Sequence, residues 1–322
     1  PGAVSLPVLS DDERAEVGTL FHHEGPFVAR KVGAALVSAN IARHLREHLA
    51  DKRKDYRPLV YCWRGGQRSG SMALVLAQVG WRVTVLSGGY RTYRAHVRRE
   101  LDVWPVRFAF KVVSGPTGSG KTRLLGALRA CGAQVLDLEG LAGHRGSALG
   151  AVGPQPSQKM FDSRLLEALG RLDPARPVWV EAESNRVGDV FLPPALWAGM
   201  QSADGVELNL PLPARVSLLL EEYAHFLADA DGLKAKLRKF VGRHSAGQVG
   251  EWCQNVDAGA WADLAESLLV RHYDPAYTLS ARRNFPRVCR PASLPDGASE
   301  TLLALASNLA AEARLPAACA GG

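Results

Sequence analysis

The stretch SGPTGSGKT (114–122) constrains the fold of this 322-residue chain more than any other. Residues 115–122 fit the pattern G-x-x-x-x-G-K-[ST], between a predicted strand, RFAFKVV (107–113), and a helix predicted to begin at about Lys121. Glycines let several backbone N–H groups face one phosphate, and the start of a helix adds positive potential. The sequence therefore predicts a P-loop fold whose diphosphate site comprises Gly115, Thr117, Gly118, Ser119, Gly120, Lys121 and Thr122. The pattern does not specify which diphosphate binds, and Thr122 is a possible ligand of Mg²⁺.

Short apolar runs alternate with helical patterns along the first two thirds of the chain. Helices are predicted over 29–49 and over 68–80, the second ending at Gly80. Strands are predicted at PLVYCW (58–63, a buried strand), RVTVL (82–86), QVLDL (134–138) and VWVEAE (178–183). This alternation is typical of an α/β fold with a parallel sheet and crossover helices. From about residue 213 the pattern is helical, so we predict three parts: 1–105, 106–212 and a mainly helical 213–322.

The composition is that of an ordinary globular chain with a basic surplus. The net charge is +7 and the sequence pI is about 9.3, which favours a polyanionic partner. Five cysteines without a C-x-x-C pair argue against a disulfide framework or a zinc site, and favour reduced thiols in the cytoplasm. No apolar run approaches the roughly 18 residues of a membrane span, so no membrane partner is expected. The chain begins PGAVSLPVLS, without Met, and we expect that an N-terminal piece precedes it.

The stretch YCWRGGQRSG (61–70) places a cysteine between a predicted strand and a predicted helix. The residues from Cys62 to Arg68, with Gly65 and Gly66 among them, are expected to point their N–H groups at one centre. Such a nest, with Arg64 and Arg68 beside it, stabilises an anion, including the thiolate itself. Lowering a thiol pKa by about two units takes roughly 2.7 kcal/mol, which a helix N-terminus and one or two guanidinium groups can supply. We therefore predict catalytic roles for Cys62, Arg64 and Arg68, against the alternative of a buried packing cysteine.

Carboxylates follow two of the predicted strands in the second part of the chain. A P-loop protein commonly uses a carboxylate at a strand end to hold a metal ion through water, whereas the alternative is a solvated strand end. A polar loop follows the first of these strands and could reach the phosphates or a nucleic acid. The possible partners of the P-loop are therefore Asp137, Glu139, Glu181, Glu183, His144 and Arg145.

Arginines in RTYRAHVRRE (91–100) recur at helical spacings near three and four, so one helix face is basic. Aromatic residues are interleaved with them and could stack on an unpaired base. The segment RHYDPAYTLSARRN (271–284) repeats this mixture, and a solvated helix face is the alternative for each single arginine. The nucleic-acid-binding candidates are Tyr90, Arg91, Tyr93, Arg94, Arg98, Arg282 and Arg283.

Two families place a cysteine as Cys62 is placed: the C-x5-R phosphatases and the rhodanese sulfurtransferases. Tyr61 in front of the cysteine, GAVSLP (2–7) and VLSGGY (85–90) resemble the rhodaneses. From residue 1 to about 240 the chain resembles the tRNA 2-selenouridine synthases, in VYCWRGGQRSGSMA (60–73), VLSGGYRTYR (85–94), SGPTGSGKTRLL (114–125), DLEGLAGHRGSALG (137–150), QPSQKMFDSRLL (155–166) and WVEAESNRVGDVFLP (179–193). The resemblance implies a rhodanese-like first domain (1–105), without that family's first strand, followed by a P-loop domain (106–212).

The resemblance also implies a reaction. Members replace sulfur by selenium in the wobble 2-thiouridine of tRNA, via an S-geranylated intermediate, with geranyl diphosphate and selenophosphate as co-substrates. The partner would be the anticodon region of tRNA. We expect the P-loop to hold the prenyl diphosphate and the Cys62 loop to hold selenophosphate. Three alternatives stay open: an ATP-using kinase or NTPase with a regulatory rhodanese module, a cysteine phosphatase fused to a P-loop domain, and a non-enzymatic adaptor.

Overall fold

A computed structural model describes residues 1–146, 149–150, 153–224, 229–288 and 290–313 of the chain. The chain divides into two compact units, Pro1–Arg98 and Arg99–Gly322. The predicted P-loop domain (106–212) and the predicted helical region (213–322) both lie in the second unit. Within the described residues, each helix is too short or too polar to span a lipid bilayer.

The first unit consists of helices and a small parallel sheet of two strands. Its elements are α1 (Asp11–His23), α2 (Pro26–Glu47), β1 (Leu59–Val60), α3 (Gln67–Val79), β2 (Thr84–Val85) and α4 (Gly89–Val103), the last of which continues into the second unit. The side chain and backbone of Ser10 exchange hydrogen bonds with Glu13, a capping box that fixes the start of α1. Gly80, at φ +107°, ends α3 as predicted, because this left-handed conformation favours glycine.

The prediction of a buried strand over 58–63 is wrong in length and in burial. Hydrogen bonding confines β1 to Leu59 and Val60, which pair in parallel with β2. The side chain of Leu59 is 59% exposed, and those of Tyr61 and Trp63 are also exposed. Within the described residues β1 has one strand neighbour, so its apolar run is not covered on both faces as in a central strand. The core of this unit instead comprises Val8, Ile41, Leu49, Met72, Leu76 and Trp81.

The second unit is built on a parallel sheet of five strands within the described residues. The chain forms β3 (Phe110–Ser114), β4 (Gln134–Leu136), β5 (Val178–Glu181), a hairpin of β6 (Arg186–Val187) and β7 (Val190–Phe191), then β8 (Gly205–Asn209) and β9 (Arg290–Ser293). The strand order is β4-β5-β3-β8-β9, which makes β3 the central strand. Val112, Val113, Val178 and Val180 are fully buried, as expected for strands covered on both faces. The P-loop therefore follows the central strand, at the edge where parallel α/β sheets commonly bind ligands.

Helices cover this sheet and form a separate apolar cluster beyond it. They are α5 (Lys121–Ala130), α6 (Leu138–Ala142), α7 (Gln158–Gly170), α8 (Pro194–Gln201), α9 (Leu212–Glu222), α10 (Ala230–Arg238), α11 (Ala246–Asp257), α12 (Trp261–Leu268), α13 (Asp274–Asn284) and α14 (Ser299–Glu312). α5 and α14 pack on the sheet, whereas α10, α11 and α12 surround the fully buried Trp252. A π-helical turn, Leu269–Tyr273, joins α12 to α13.

One strand was missed in the predicted helical region. The segment Arg290–Ser293 pairs in parallel with β8 at the edge of the sheet. Its sequence, RPAS, has no alternation of apolar and polar residues, and three of its four residues are exposed. A proline is tolerated there because an edge strand has one side without ladder hydrogen bonds. Tertiary pairing with β8, and not local propensity, therefore creates this strand.

Candidate functional site

The P-loop curls as the sequence predicts. Gly115, Gly118 and Gly120 all have positive φ, at +151°, +76° and +83°. A Cβ atom on Gly115 would lie 2.6 Å from the carbonyl oxygen of Leu208, so a larger residue does not fit there. α5 begins at Lys121, so its first N–H groups face the loop. The loop borders a cavity of about 550 Å³.

Lys121 extends back over the loop that precedes it. Its Nζ donates hydrogen bonds to the carbonyl oxygens of Gly115, at 2.8 Å, and Pro116, at 3.3 Å. Burial lowers the pKa of this ammonium group, while Glu183 and Glu139 act in the opposite direction. A negatively charged ligand in the cavity would stabilise the charged form further. Lys121 is therefore placed to bind an anion.

Two carboxylates, Glu139 and Glu183, line this cavity, and Glu181 lies next to Glu139. Glu181 Oε1 accepts a hydrogen bond of 2.7 Å from the backbone N–H of Glu139, and Glu139 Oε2 accepts one of 3.3 Å from Thr122 Oγ1. Burial raises the pKa of Glu181 to about 8, and raises the pKa values of Glu139 and Glu183 in the same way. Among the described atoms, Glu181 Oε2 and Ser119 Oγ are buried without a hydrogen-bond partner. Buried polar atoms of this kind commonly bind a ligand or water.

The predicted partners of the P-loop are therefore only partly brought together. The prediction that Glu139 ends a strand is wrong, because β4 stops at Leu136. Asp137 caps α6 by accepting a hydrogen bond from Gly140 N. Glu139 and Glu183 line the cavity, whereas Asp137, His144 and Glu181 do not. Arg145 lines it too, and its guanidinium donates a 2.5 Å hydrogen bond to Glu222 O. The predicted strand VWVEAE likewise ends at Glu181, so Glu183 lies beyond it.

The sequence did not predict the side chains that form hydrogen bonds with the P-loop and with the strand end before it. Arg215, 6% exposed, donates to Thr117 O from Nε and Nη2, at 2.9 and 2.8 Å. The same guanidinium forms two hydrogen bonds with Asp274, at 3.0 and 2.6 Å. Tyr277 OH contacts Ser114 Oγ at 2.8 Å, next to the loop, and lines the cavity. An arginine within the apolar pattern of α9 was the one available signal.

The Cys62 loop is an open cradle of hydrogen-bond donors. The backbone N–H of Gly66 and the hydroxyl of Ser69 each donate to Cys62 Sγ at 3.3 Å. A second loop supports this one, since Tyr90 N donates to Cys62 O at 2.9 Å. Gly89, at φ +62°, lies so close that its Cβ would be 2.2 Å from Cys62 O. The paired glycines of VLSGGY therefore allow close contact between the two loops.

These donors account for the ionisation of Cys62. Burial would raise the pKa of this thiol, but hydrogen bonds from the Ser69 side chain and from the N–H groups of Gly66, Ser69 and Arg64 lower it to about 6. At pH 7 roughly nine in ten such thiols are thiolates. The prediction assigned this effect to inward-pointing N–H groups, a helix N-terminus and one or two guanidinium groups. In the structure Arg64 acts through its backbone N–H, and the hydroxyl of Ser69 was missed.

Comparison with known proteins assigns the chain to a family. The family model described as tRNA 2-selenouridine synthase AAA domain matches residues 108–246. The tRNA 2-selenouridine synthase of Shewanella halifaxensis is 32% identical over 318 residues, which cover 89% of this chain and 86% of that protein. This chain belongs to the tRNA 2-selenouridine synthase family.

Other relatives carry the same name. The tRNA 2-selenouridine synthase of Aeromonas salmonicida is 33% identical over 310 residues, covering 86% of this chain and 82% of that protein. The tRNA 2-selenouridine synthase of Nitrosomonas europaea is 37% identical over 228 residues, covering 69% of this chain and 59% of that protein. The match thus spans about three fifths of the length of the Nitrosomonas europaea and Bdellovibrio bacteriovorus relatives.

Aromatic rings cluster at the Cys62 loop of this family member, and arginines lie along α4. Tyr90 contacts Tyr61, Trp63 and Tyr93, with ring centroids 6.3, 5.6 and 6.0 Å apart. Tyr61 and Trp63 are additions to the predicted aromatic set. On α4, Arg91 and Arg98 are exposed and Arg94 is half-buried. In the second unit Arg283 is exposed, and the side chain of Arg282 lies outside the described residues.

Few protein side chains in the described part of the chain are placed to bind a metal ion. The described residues contain no group of three or more His, Cys, Asp or Glu side chains that could hold one. Thr122 Oγ1 and the Glu139 carboxylate, 3.3 Å apart, are hard oxygen ligands of the kind that Mg²⁺ accepts. They fit an ion that takes its other ligands from phosphate and water, which is the usual habit of Mg²⁺.

Proposed function

We propose that this chain replaces the sulfur of a wobble 2-thiouridine in tRNA by selenium, using geranyl diphosphate and then selenophosphate. Membership of the family supports the overall reaction. The observation that carries the proposal is that one chain contains two anion cradles with different reactive groups. One holds a thiol whose pKa is about 6, and the other holds a half-buried lysine.

In the first step the P-loop binds the diphosphate of geranyl diphosphate. The 2-thiouridine sulfur attacks carbon 1 of the geranyl group, the carbon–oxygen bond breaks, and pyrophosphate leaves. The uridine loses its N3 proton to water, so charge and atoms balance. Lys121 and the N–H groups of the loop stabilise the charge that develops on the leaving oxygen. Mg²⁺, where bound, would be held by Thr122 and Glu139 and would neutralise part of the same charge.

In the second step the Cys62 loop binds selenophosphate. Selenium in this donor is already fully reduced, so attack of the thiolate on selenium would require phosphorus to be reduced. Attack of the Cys62 thiolate on phosphorus avoids any redox change: the sulfur–phosphorus bond forms, the phosphorus–selenium bond breaks, and hydrogen selenide leaves. Water later releases phosphate from Cys62. The hydrogen selenide attacks C2 of the alkylated uridine and expels the geranyl thiolate, a far better leaving group than sulfide.

The aromatic cluster and the basic face of α4 supply the tRNA contacts in this proposal. Exposed rings such as Trp63 can stack on an unpaired base, and arginines contact phosphates without reading sequence. Arg64, Gly66 and Gln67 are exposed, which leaves the Cys62 loop accessible to a bulky substrate. Tyr61, Tyr90, Tyr93, Arg91, Arg94 and Arg98 complete this surface.

The proposal is tested by mass spectrometry of nucleosides from a tRNA that carries 2-thiouridine. Incubation with the chain and geranyl diphosphate should add one geranyl group per modified uridine. Later addition of selenophosphate should replace the geranylated sulfur by selenium. An unchanged nucleoside in both incubations, together with steady ATP turnover in the absence of tRNA, would instead identify an ATP-using P-loop enzyme.

A further inference from the structure

The carbonyl oxygen of Thr117 in the P-loop accepts two hydrogen bonds from a single side chain. Arg215 on α9 donates them from Nε and Nη2, at 2.9 and 2.8 Å. A carbonyl oxygen has two lone pairs, so this guanidinium uses the whole accepting capacity of the group. The next residue, Gly118, lies so close to α9 that a Cβ atom on it would be 3.0 Å from Arg215 O. This part of the P-loop is therefore held directly against α9.

The geometry of the peptide bond between Thr117 and Gly118 converts this contact into a direction. The described residues contain no cis peptide bond, and in a planar trans peptide the C=O and N–H bonds point in opposite directions. Because Thr117 O faces Arg215, the N–H of Gly118 faces away from it. Thr117 and Gly118 line the P-loop cavity, whereas Arg215 does not. The N–H of Gly118 is therefore directed to the cavity side of the loop.

This N–H group is available to a ligand. Within the described residues it donates to no acceptor of the protein, whereas the N–H of Ser119 donates to Pro116 O at 3.1 Å. Backbone donors next to the first turn of a helix are typical of anion sites, because the helix adds positive potential there. An anion in the cavity would give the Gly118 N–H the acceptor that the protein does not supply.

Asp274, the first residue of α13, fixes the orientation of the guanidinium. Its two carboxylate oxygens accept hydrogen bonds from Nη1 and Nη2 of Arg215, at 3.0 and 2.6 Å. A pair of this kind sets the plane of the guanidinium as well as its position. Arg215 is 6% exposed, so rotation away from Asp274 would leave a buried charge without its partner. The direction of the Thr117 carbonyl therefore depends on both side chains.

We propose that Arg215, oriented by Asp274, is a positioning residue that directs the N–H of Gly118 at the anion bound in the P-loop. This inference rests on the proposed function, in which the P-loop takes a diphosphate. It concerns how the loop is held before any diphosphate arrives, and Arg215 itself does not touch the ligand. Lysine is not equivalent at this position, because its single nitrogen cannot reproduce the planar fork that binds Thr117 O and Asp274 together.

Nuclear magnetic resonance of one peptide bond tests the inference. Thr–Gly occurs once in the sequence, at 117–118, so isotopic labelling of threonine carbonyl carbon and glycine nitrogen selects the Gly118 amide. Saturating pyrophosphate should shift this amide proton of the full chain downfield, as a new hydrogen bond to an anion does. In Arg215→Lys the shift should be smaller, and calorimetry should show about tenfold weaker pyrophosphate binding, because one hydrogen bond to a charged group is impaired.

Two further variants separate positioning from a general loss of stability. Arg290→Lys is the matched control, because Arg290 also forms two hydrogen bonds with a carboxylate, that of Glu312, and does not line the cavity. It should change neither the amide shift nor the affinity. Asp274→Asn keeps the size of the side chain but removes its charge, and should weaken pyrophosphate binding a few-fold. Combined with Arg215→Lys it should add less than its own loss, because Asp274 acts through Arg215.

The outcomes separate this inference from the proposal on which it rests. An amide shift and an affinity in Arg215→Lys equal to those of the unmodified chain overturn the positioning role, as do equal losses in Arg215→Lys and Arg290→Lys. If Arg215→Lys does not fold, unchanged values of both readouts in Asp274→Asn overturn it. Pyrophosphate binding without movement of the Gly118 amide overturns it too, while leaving the diphosphate site intact. Absence of pyrophosphate binding by the unmodified chain overturns the proposed function as well.

Discussion

The Cys62 loop and the P-loop are built alike but differ in what sets the pKa of their reactive side chains. Each follows a parallel strand, contains at least one glycine with positive φ and leads into a helix. Cys62 is half-buried, and hydrogen-bond donors overcome the effect of burial on its pKa. Lys121 is half-buried too and lies among glutamates, and burial is the main cause of the shifts of its pKa and theirs.

In the proposed function, this difference lets one local design serve two kinds of chemistry. A few N–H and O–H donors suffice to ionise the thiol that the tRNA would have to reach. A leaving diphosphate would instead benefit from charges and N–H groups that are already in place around it. The residues that distinguish the two loops are therefore the donors around Cys62 and the carboxylates around Lys121.

Removal of Lys121 should produce the largest effect and should leave the other loop unchanged. Lys121→Ala is expected to weaken pyrophosphate binding about 100-fold, because a charged hydrogen bond contributes about 3 kcal/mol. Lys121→Arg keeps the positive charge and should lose less affinity for pyrophosphate. Calorimetry measures the binding, and the alkylation rate of Cys62 is the control. A change in that rate would contradict the independence of the two loops.

Loss of two exposed arginines should weaken tRNA binding about tenfold. Arg91→Ala combined with Arg98→Ala removes two phosphate contacts from α4, so the slope of log affinity against log salt should become about two units less steep. Filter binding between low and moderate salt measures both. The matched control is Arg43→Ala combined with Arg46→Ala, an exposed pair on α2. Equal effects of the two pairs would show that general charge, and not the α4 face, binds tRNA.

Ser69→Ala should raise the pKa of Cys62 by about one unit, since a hydrogen bond to a charged group contributes about 1.5 kcal/mol. The unmodified chain should lose half of its iodoacetamide reactivity at Cys62 as the pH falls to about 6. The variant should lose it at a higher pH. Peptide mass spectrometry follows Cys62 separately from other cysteines. Ser71→Ala, whose hydroxyl donates to Gln67 O in the same helix, is the control and should leave the midpoint unchanged.

Pyrophosphate binding at the P-loop should weaken as the pH rises, whereas the reactivity of Cys62 should increase. This is the smallest of the effects expected. Glu181 has a pKa raised to about 8, so it is neutral at pH 7 and becomes charged as the pH rises. A new negative charge beside the cavity should weaken pyrophosphate binding a few-fold between about pH 7 and pH 9. Glu181→Gln should reduce this loss, and calorimetry at the two pH values measures it. An affinity that rises with pH would contradict the assignment.

The sequence predicted the elements whose signals are local. The P-loop and the glycine that ends α3 each depend on backbone conformations that few other residues adopt. Ser69, by contrast, looks like any polar residue in the first turn of a helix. Its role appears only when Cys62 lies 3.3 Å from its hydroxyl. The roles of Arg215 and β9 were also not predictable from local sequence. Arg215 depends on Thr117 and Asp274, and β9 depends on β8, all of which are distant along the chain.

The central claim is that the two loops serve successive steps, and one comparison tests it most directly. The Cys62→Ser and Lys121→Ala proteins are each incubated with thiouridine tRNA, geranyl diphosphate and selenophosphate. The nucleosides are then identified by mass spectrometry. We expect Cys62→Ser to accumulate the geranylated nucleoside without selenium, and Lys121→Ala to leave the thiouridine largely unchanged. Selenation by Cys62→Ser at the rate of the unmodified chain, or loss of geranylation in that variant, would contradict the account.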